Sequence, residues 1–151
     1  MAKFKAKSFK KWLDILAAAV VKTRDNFTCQ IVHDPACAGT MELLDQNCQC
    51  CHIISRSSNN TRWDLLNLIT GCGHCHNWAH KNPVEFGIWF GGKYPHRLEY
   101  LRKLPKASRT WKEADFRYWE DFLLKKAIDL NVDCMAVNMA YRERFIRKRK
   151  S

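Results

Sequence analysis

The chain lacks any apolar run long enough to cross a membrane. Its longest uncharged apolar stretch, Ile15 to Val21, has seven residues, against the roughly 20 that a spanning helix needs. No signal-peptide cleavage pattern follows that stretch, so no export signal is expected and a cytoplasmic location is. Internal repeats and low-complexity linkers are absent too, which excludes a repeat array. Acidic charge is scarce: 15 Asp and Glu stand against 26 Lys and Arg, a formal net charge of +11. That imbalance makes a polyanion the expected partner, with nucleic acid ahead of a membrane, because every neutralised phosphate releases condensed counterions.

What is present begins with length. At 151 residues the chain can bury about two thirds of the surface its unfolded form exposes, so one globular unit with basic ends is expected. Of eight cysteines, seven lie in the first half: Cys29, Cys37, Cys48, Cys50, Cys51, Cys72 and Cys75. In a reducing compartment clustered cysteines serve metals more often than disulfides. Cys134 stands alone in a helix-like stretch and reads as a small buried apolar residue.

Periodicity and capping signals divide the rest. Phe9, Trp12, Leu13, Leu16 and Val20 share one face of a helix that Ser8 is placed to cap. Short strands are predicted at Cys51–Ser55 and Leu66–Thr70, followed by a helix from Gly73 to Ala79. Asn82-Pro83-Val84-Glu85 predicts a fresh helix start and Gly91-Gly92 its end. A further helix is expected over Pro95–Leu104. Thr110-Trp111-Lys112-Glu113 reads as a capping box for a long helix to Leu130, with Trp119, Phe122, Leu123 and Ala127 as its apolar stripe. Lys3 to Lys11 and Arg142 to Lys150 make both ends basic, which suits phosphate contacts and equally suits simple solvation.

The chemistry concentrates in three stretches: Cys50-Cys51-His52-Ile53-Ile54-Ser55-Arg56, then Thr61-Arg62-Trp63-Asp64-Leu65-Leu66-Asn67-Leu68-Ile69-Thr70, then Cys72-Gly73-His74-Cys75-His76-Asn77-Trp78-Ala79-His80. His76 and His80 are four apart and so fall on one helix face, able to grip a metal from the same side; a solvated polar face is the plainer alternative. Histidine titrates near neutrality and suits a general base. Cys72-x-x-Cys75 has the spacing of half a zinc knuckle. The same Cys72-Gly73-His74-Cys75-His76 run also fits a c-type haem attachment pattern, but that chemistry belongs outside the cytosol.

A histidine leaving a first strand, an asparagine on a second and histidines on the following helix, with His52 and Asn67 fifteen positions apart and Asn67 and His76 nine apart, resemble the HNH family of ββα-metal endonucleases. Within it the sequence looks like phage-encoded HNH proteins, the NinG/Rap type of recombination nuclease among them. The resemblance covers about Cys29 to Trp89. It implies an α+β, mostly helical fold: a ββα-metal HNH core with a four-cysteine zinc knuckle, flanked by an N-terminal helix and C-terminal helices. The corresponding organisation is a basic helix over 1–28, the core over 29–91 and a helical extension with a basic tail over 92–151.

The resemblance also implies roles. His52 is the general base that activates water for phosphodiester hydrolysis, and Asn67 ties strands and loop together. Arg56 holds a phosphate oxygen, with Arg62 a weaker candidate. His76 and His80 hold the catalytic metal, joined at the position before the base by Cys51, where the family commonly carries Asp or His. A thiolate there would favour zinc over magnesium, so the ion is left open among Mg²⁺, Mn²⁺, Ni²⁺ and Zn²⁺. For the structural zinc, Cys29 and Cys37 come first as partners of Cys72 and Cys75, with Cys48 and Cys50 competing; the family usually spaces that pair two apart, here it is eight. Lys10, Lys11, Arg147, Lys148 and Arg149 are expected on the backbone of double-stranded or branched DNA, within a bacterial host if the gene is a phage's. Two other readings share these features: a zinc-containing nucleic-acid-binding protein without catalysis, and an RNA-directed HNH nuclease.

Overall fold

The computed structural model describes residues 5–105 and 110–139; the expected DNA contacts Arg147, Lys148 and Arg149 lie outside them, as does Lys3. The fold is α+β, with α-helices and one two-stranded antiparallel sheet among the described residues. Where length alone suggests one globular unit, the described residues divide into two compact ones, 5–20 with 110–139 and 21–105. No helix among the described residues is long and apolar enough to cross a membrane.

The first unit is helical. Helix α1, Ala6–Arg24, buries Leu13, Leu16, Ala17 and Val20, the i, i+3, i+4, i+7 pattern of one apolar stripe. It starts earlier than Ser8, because the carbonyl of Lys5 already accepts the Ser8 and Phe9 amides at 3.0 and 3.1 Å, so Ser8 is not its cap. The long C-terminal helix of this unit, Glu113–Asp129, buries Phe116, Leu123 and Ala127, while Trp119 and Phe122 are only half-buried. Its start also differs from the Thr110 box: the Asp115 carboxylate accepts the Lys112 amide at 2.8 Å, which sets the first turn at Glu113. Within the unit Trp12 Nε1 donates to Glu120 at 2.9 Å and Phe9 meets Phe116 edge-on. Cys134 is half-buried rather than sealed.

The second unit carries the chemistry. Strand β1, Cys48–His52, pairs with β2, Leu68–Cys72, so that Cys48 faces Cys72 and His52 faces Leu68. Both strands lie away from the predicted bounds. Ile54 cannot extend the ladder, because its amide and carbonyl are both taken by the Asn67 side chain. The strand instead runs back through Gln49 and the cysteines, whose composition carries no β-branched signal. Helix α2, Gly73–Lys81, follows β2 without a loop, then α3, Pro83–Lys93, and α4, Pro95–Lys103. Gly91-Gly92 does not end α3; it runs on until Tyr94 caps it. Nor does Asn82 cap α3 with its side chain, which donates back to the Trp78 carbonyl at 2.9 Å.

Between α1 and β1 a long loop folds onto the sheet. Thr28 bridges Thr40, the Cys29 amide donates to the Gly39 carbonyl at 2.9 Å, and the Gln30 amide donates to Thr70 of β2 at 2.9 Å. The loop thereby lays Cys29 and Ile31 beside β2, in a buried cluster with Met41, Cys48, Cys51, Ile69, Cys72, Cys75, Ala79 and Phe86. Its reversal requires Gly39 at φ 65° and Val32 at φ 46°; the left-handed region is uncommon for any β-branched residue and costs on the order of 1–3 kcal/mol.

Candidate functional site

Two groups of ligand-type side chains emerge from this framework. The first is the cluster Cys29, Cys37, Cys72 and Cys75, whose four sulfurs lie within 4.8 Å of one another. The folded loop supplies two of them and the β2–α2 junction the other two. Thiolates at about 2.3 Å from a tetrahedral zinc stand roughly 3.8 Å apart, so this set suits such an ion. Amide hydrogens point at the sulfurs: Asp34 N donates to Cys75 Sγ and Cys75 N to Cys72 Sγ, each at 3.5 Å. Burial pushes Cys72 up, yet amides of Cys75 and Ala38 and the thiols of Cys75 and Cys37 outweigh it and bring it down to about 7. Cys75 is driven the other way, up to about 12, by burial first and by the neighbouring Cys72 and Cys29. One thiolate forms easily and the next does not, so the cluster needs a cation to become fully anionic. The four cysteines can therefore hold a metal ion such as zinc. His33, stacked on Trp78 with ring centroids 3.6 Å apart, pins the loop to α2 beside them.

Cys48 and Cys50 do not join that set. Cys48 faces Cys72 across the sheet but is buried in the apolar cluster, and burial raises its thiol. Cys50 faces Thr70 and is half-buried.

The second group lies on α2. His76 and His80 turn their Nε2 atoms toward each other at 2.9 Å, inside the span that two imidazoles can take on one metal at about 2.0–2.1 Å. His76 is half-buried, and its imidazole is held down to about 4, by burial first and then by His80 and Arg56. It therefore stays neutral, the form that ligates. Cys51 is not drawn into a three-ligand group with these histidines among the described residues. Only 1% exposed, it lies in the apolar cluster on the loop side, and a Cβ on Gly71 would sit 2.7 Å from its sulfur and 3.0 Å from Ile31. Burial raises that thiol well above its ordinary value, and Cys51 stands apart from the expected partners His76 and His80.

His52 ends β1 and its Nε2 lies 3.1 Å from the Arg62 carbonyl. A carbonyl only accepts, so Nε2 carries the proton and Nδ1 the lone pair. Asn67 is fully buried: Oδ1 accepts the Ile54 amide at 2.7 Å, and Nδ2 donates to the carbonyls of Ile54 and Thr61 at 3.0 and 2.9 Å. It ties the end of β1 to the 53–66 loop just before β2 begins. Two arginines brace the turn that carries it. Arg24 donates to the carbonyls of Leu65 and Leu68 at 2.7 and 2.9 Å, and Arg97 to those of Leu66 and Leu68 at 2.7 and 2.9 Å.

Arg56 is exposed and close enough to His76 for its charge to act on it. Arg62 donates to the Arg56 carbonyl at 3.0 Å and lies over Trp63, so it builds the loop. Lys10 and Lys11 belong to α1 in the first unit.

Sequence reading missed Arg24, Arg97, Asn47 and Gln49. The Asn47 side chain accepts the Gly73 amide at the start of α2 at 2.8 Å, and Gln49 Oε1 meets His76 Nδ1. None carries a motif signal; each acts through a contact far along the chain. Comparison with family models, curated proteins and solved structures finds no match for this chain.

Proposed function

We propose that this protein is a metal-dependent DNA endonuclease of the HNH type, hydrolysing phosphodiester bonds in duplex or branched DNA, with zinc in the four-cysteine cluster. One observation carries the reading. In a strand–strand–helix unit, His52 closes β1, Asn67 immediately precedes β2, and the helix that follows directly turns two histidine Nε2 atoms toward each other. Chemistry then assigns the parts. His52 Nδ1 takes the proton of the attacking water, with the ring held by the Arg62 carbonyl. A divalent ion on His76 and His80 would neutralise charge on the scissile phosphate and leaving oxygen. Arg56, at the rim beside His76, binds a phosphate oxygen. With Cys51 turned into the core, the thiolate argument for a soft ion lapses, and Mg²⁺, Mn²⁺, Ni²⁺ and Zn²⁺ all suit two imidazoles completed by oxygen ligands. The surplus of +11 supplies affinity for the substrate, and the resemblance to phage recombination nucleases makes branched DNA in a bacterial cytoplasm the substrate to try first.

The test is incubation of the pure protein with plasmid, branched DNA and RNA across those four ions, beside His52→Ala. Cleavage should fall on the order of 10²–10⁴-fold in the variant, with fold and DNA affinity kept. A variant that cuts at the wild-type rate overturns the assignment, and cutting confined to RNA redirects it to an RNA-directed nuclease. The four-cysteine cluster by itself favours a second reading, a zinc-containing nucleic-acid-binding module without catalysis. Retention on DNA with no cleavage under any ion would select it.

A further inference from the structure

The polar residue packed against the helix histidines comes from neither motif. Gln49 sits in β1, opposite Gly71, three residues before His52. Its side chain crosses to α2, where Oε1 meets His76 Nδ1 while Nε2 lies toward Gly73. A Cβ on Gly73 would stand 2.8 Å from Asn47 Oδ1 and 3.4 Å from Gln49 Nε2, so a side chain there would crowd Asn47 and make only ordinary contact with Gln49. An amide oxygen has no proton to give. The bond therefore requires the proton on His76 Nδ1 and leaves the lone pair on Nε2, the atom that faces His80 Nε2 at 2.9 Å.

We propose that Gln49 is a positioning residue for a divalent-metal site on His76 and His80: its carbonyl oxygen selects the Nδ1–H tautomer of His76 and holds the ring so that Nε2 is presented for coordination. This rests on the proposed function for the ion's role, though not for its binding. Histidine ligands characteristically donate their second ring N–H to an oxygen acceptor, and losing that acceptor typically costs 10–100-fold in metal affinity. Two alternatives for the His76 ring are separated by the same geometry. Without Gln49 the free imidazole favours the opposite tautomer and can spin about its side-chain bonds, and the metal must then select one state from several.

Two measurements on the full-length, zinc-loaded protein test it. The first is tautomer assignment by long-range ¹H–¹⁵N correlation at neutral pH with the histidines metal-free. Wild type should show His76 protonated on Nδ1, and Gln49→Leu should lose that preference. The second is Ni²⁺ titration by calorimetry, with His76→Ala defining the signal from all other sites. Gln49→Leu should weaken the His76-dependent binding on the order of 10–100-fold, and Gln49→Glu should retain it because a carboxylate also accepts the Nδ1 proton. Zinc content and unfolding midpoint of each variant show whether the fold persists, and a structural role alone would not be rescued by Gln49→Glu against Gln49→Leu. An Nε2–H tautomer in wild type, no His76-dependent Ni²⁺ binding, or equal affinity in Gln49→Leu overturns the proposal. Failure of the nuclease reading looks different: His52→Ala would cleave like wild type while the Gln49 results stand.

Discussion

The cysteine cluster and the histidine pair share the same short β2–α2 segment, where Cys75 and His76 are consecutive residues, and they are built on different principles. Cys29, Cys72 and Cys75 are no more than 1% exposed and Cys37 is half-buried; four sulfurs converge, backbone amides point at them, and a loop from far upstream closes over the top. Such a set has every ligand position filled by protein, as structural sites do. His76 is half-buried and His80 exposed; among the described residues two histidine nitrogens converge there, with Gln49 against one ring. A metal held there would keep positions open for water or other ligands. Closure buries charge that only a cation can balance, so it stabilises the fold. Openness gives up affinity and leaves room for chemistry.

The comparison breaks most visibly if the cysteines are removed. Cys75→Ser should unfold the second unit, because structural zinc supplies roughly 10 kcal/mol or more of apparent folding free energy in small zinc domains, whereas His76→Ala should leave that unit folded. Metal analysis with denaturant unfolding of both variants checks this; a folded wild type that carries no tightly bound metal would remove the closed site altogether.

Asn67 tests the brace of the 53–66 loop. Asn67→Ala removes three hydrogen bonds at a fully buried position, leaving the Ile54 amide and two carbonyls to be satisfied otherwise. At about 1–3 kcal/mol for a buried unsatisfied group, a loss of several kcal/mol is expected in chemical denaturation. A larger share of activity than of stability should disappear, since the loop carries His52's partner Arg62 and the candidate phosphate contact Arg56. Equal stability of variant and wild type would mean that the loop is held by the Arg24 and Arg97 contacts alone.

The smallest effect concerns protons. Burial, with His80 and Arg56 beside it, holds His76 down to about 4 from an ordinary 6.5. The unfolded chain therefore binds a proton that the folded one refuses between these values, so this contribution to stability is fully present above pH 6.5 and drains away as the pH falls to about 4. An NMR titration of the protein without metal on its histidines should place the His76 midpoint far below the ordinary range. A midpoint near 6.5 would make the two helix histidines a plain solvated pair.

Much of this site is legible in the residues themselves. The four-residue step from His76 to His80 places both on one face of any helix, the Cys72-x-x-Cys75 spacing brings two sulfurs to one point, and the 3.6-residue stripes of α1 and of Glu113–Asp129 announce helices; all are local consequences of backbone geometry. The strand bounds were harder to read, since Cys-Gln-Cys-Cys has no β-branched alternation and the place where the ladder stops depends on a side chain fifteen residues past His52.

Tertiary structure alone decided which cysteines close the cluster. Cys29 and Cys37 are eight apart and meet only because their loop pairs with itself and with Thr70, while Cys48, directly across from Cys72, is left to the apolar core. Cys51 and His52 are neighbours in sequence, but a strand sends successive side chains to opposite faces, so one is sealed in the core while the other meets the Arg62 carbonyl. Gln49 reaches His76 across 27 positions, from the strand to the helix. Spacing along the chain encodes what a helix turn or a tight knuckle can bring together; which distant oxygen orients a ligand is a property of packing, and it appears only when strand, loop and helix are assembled.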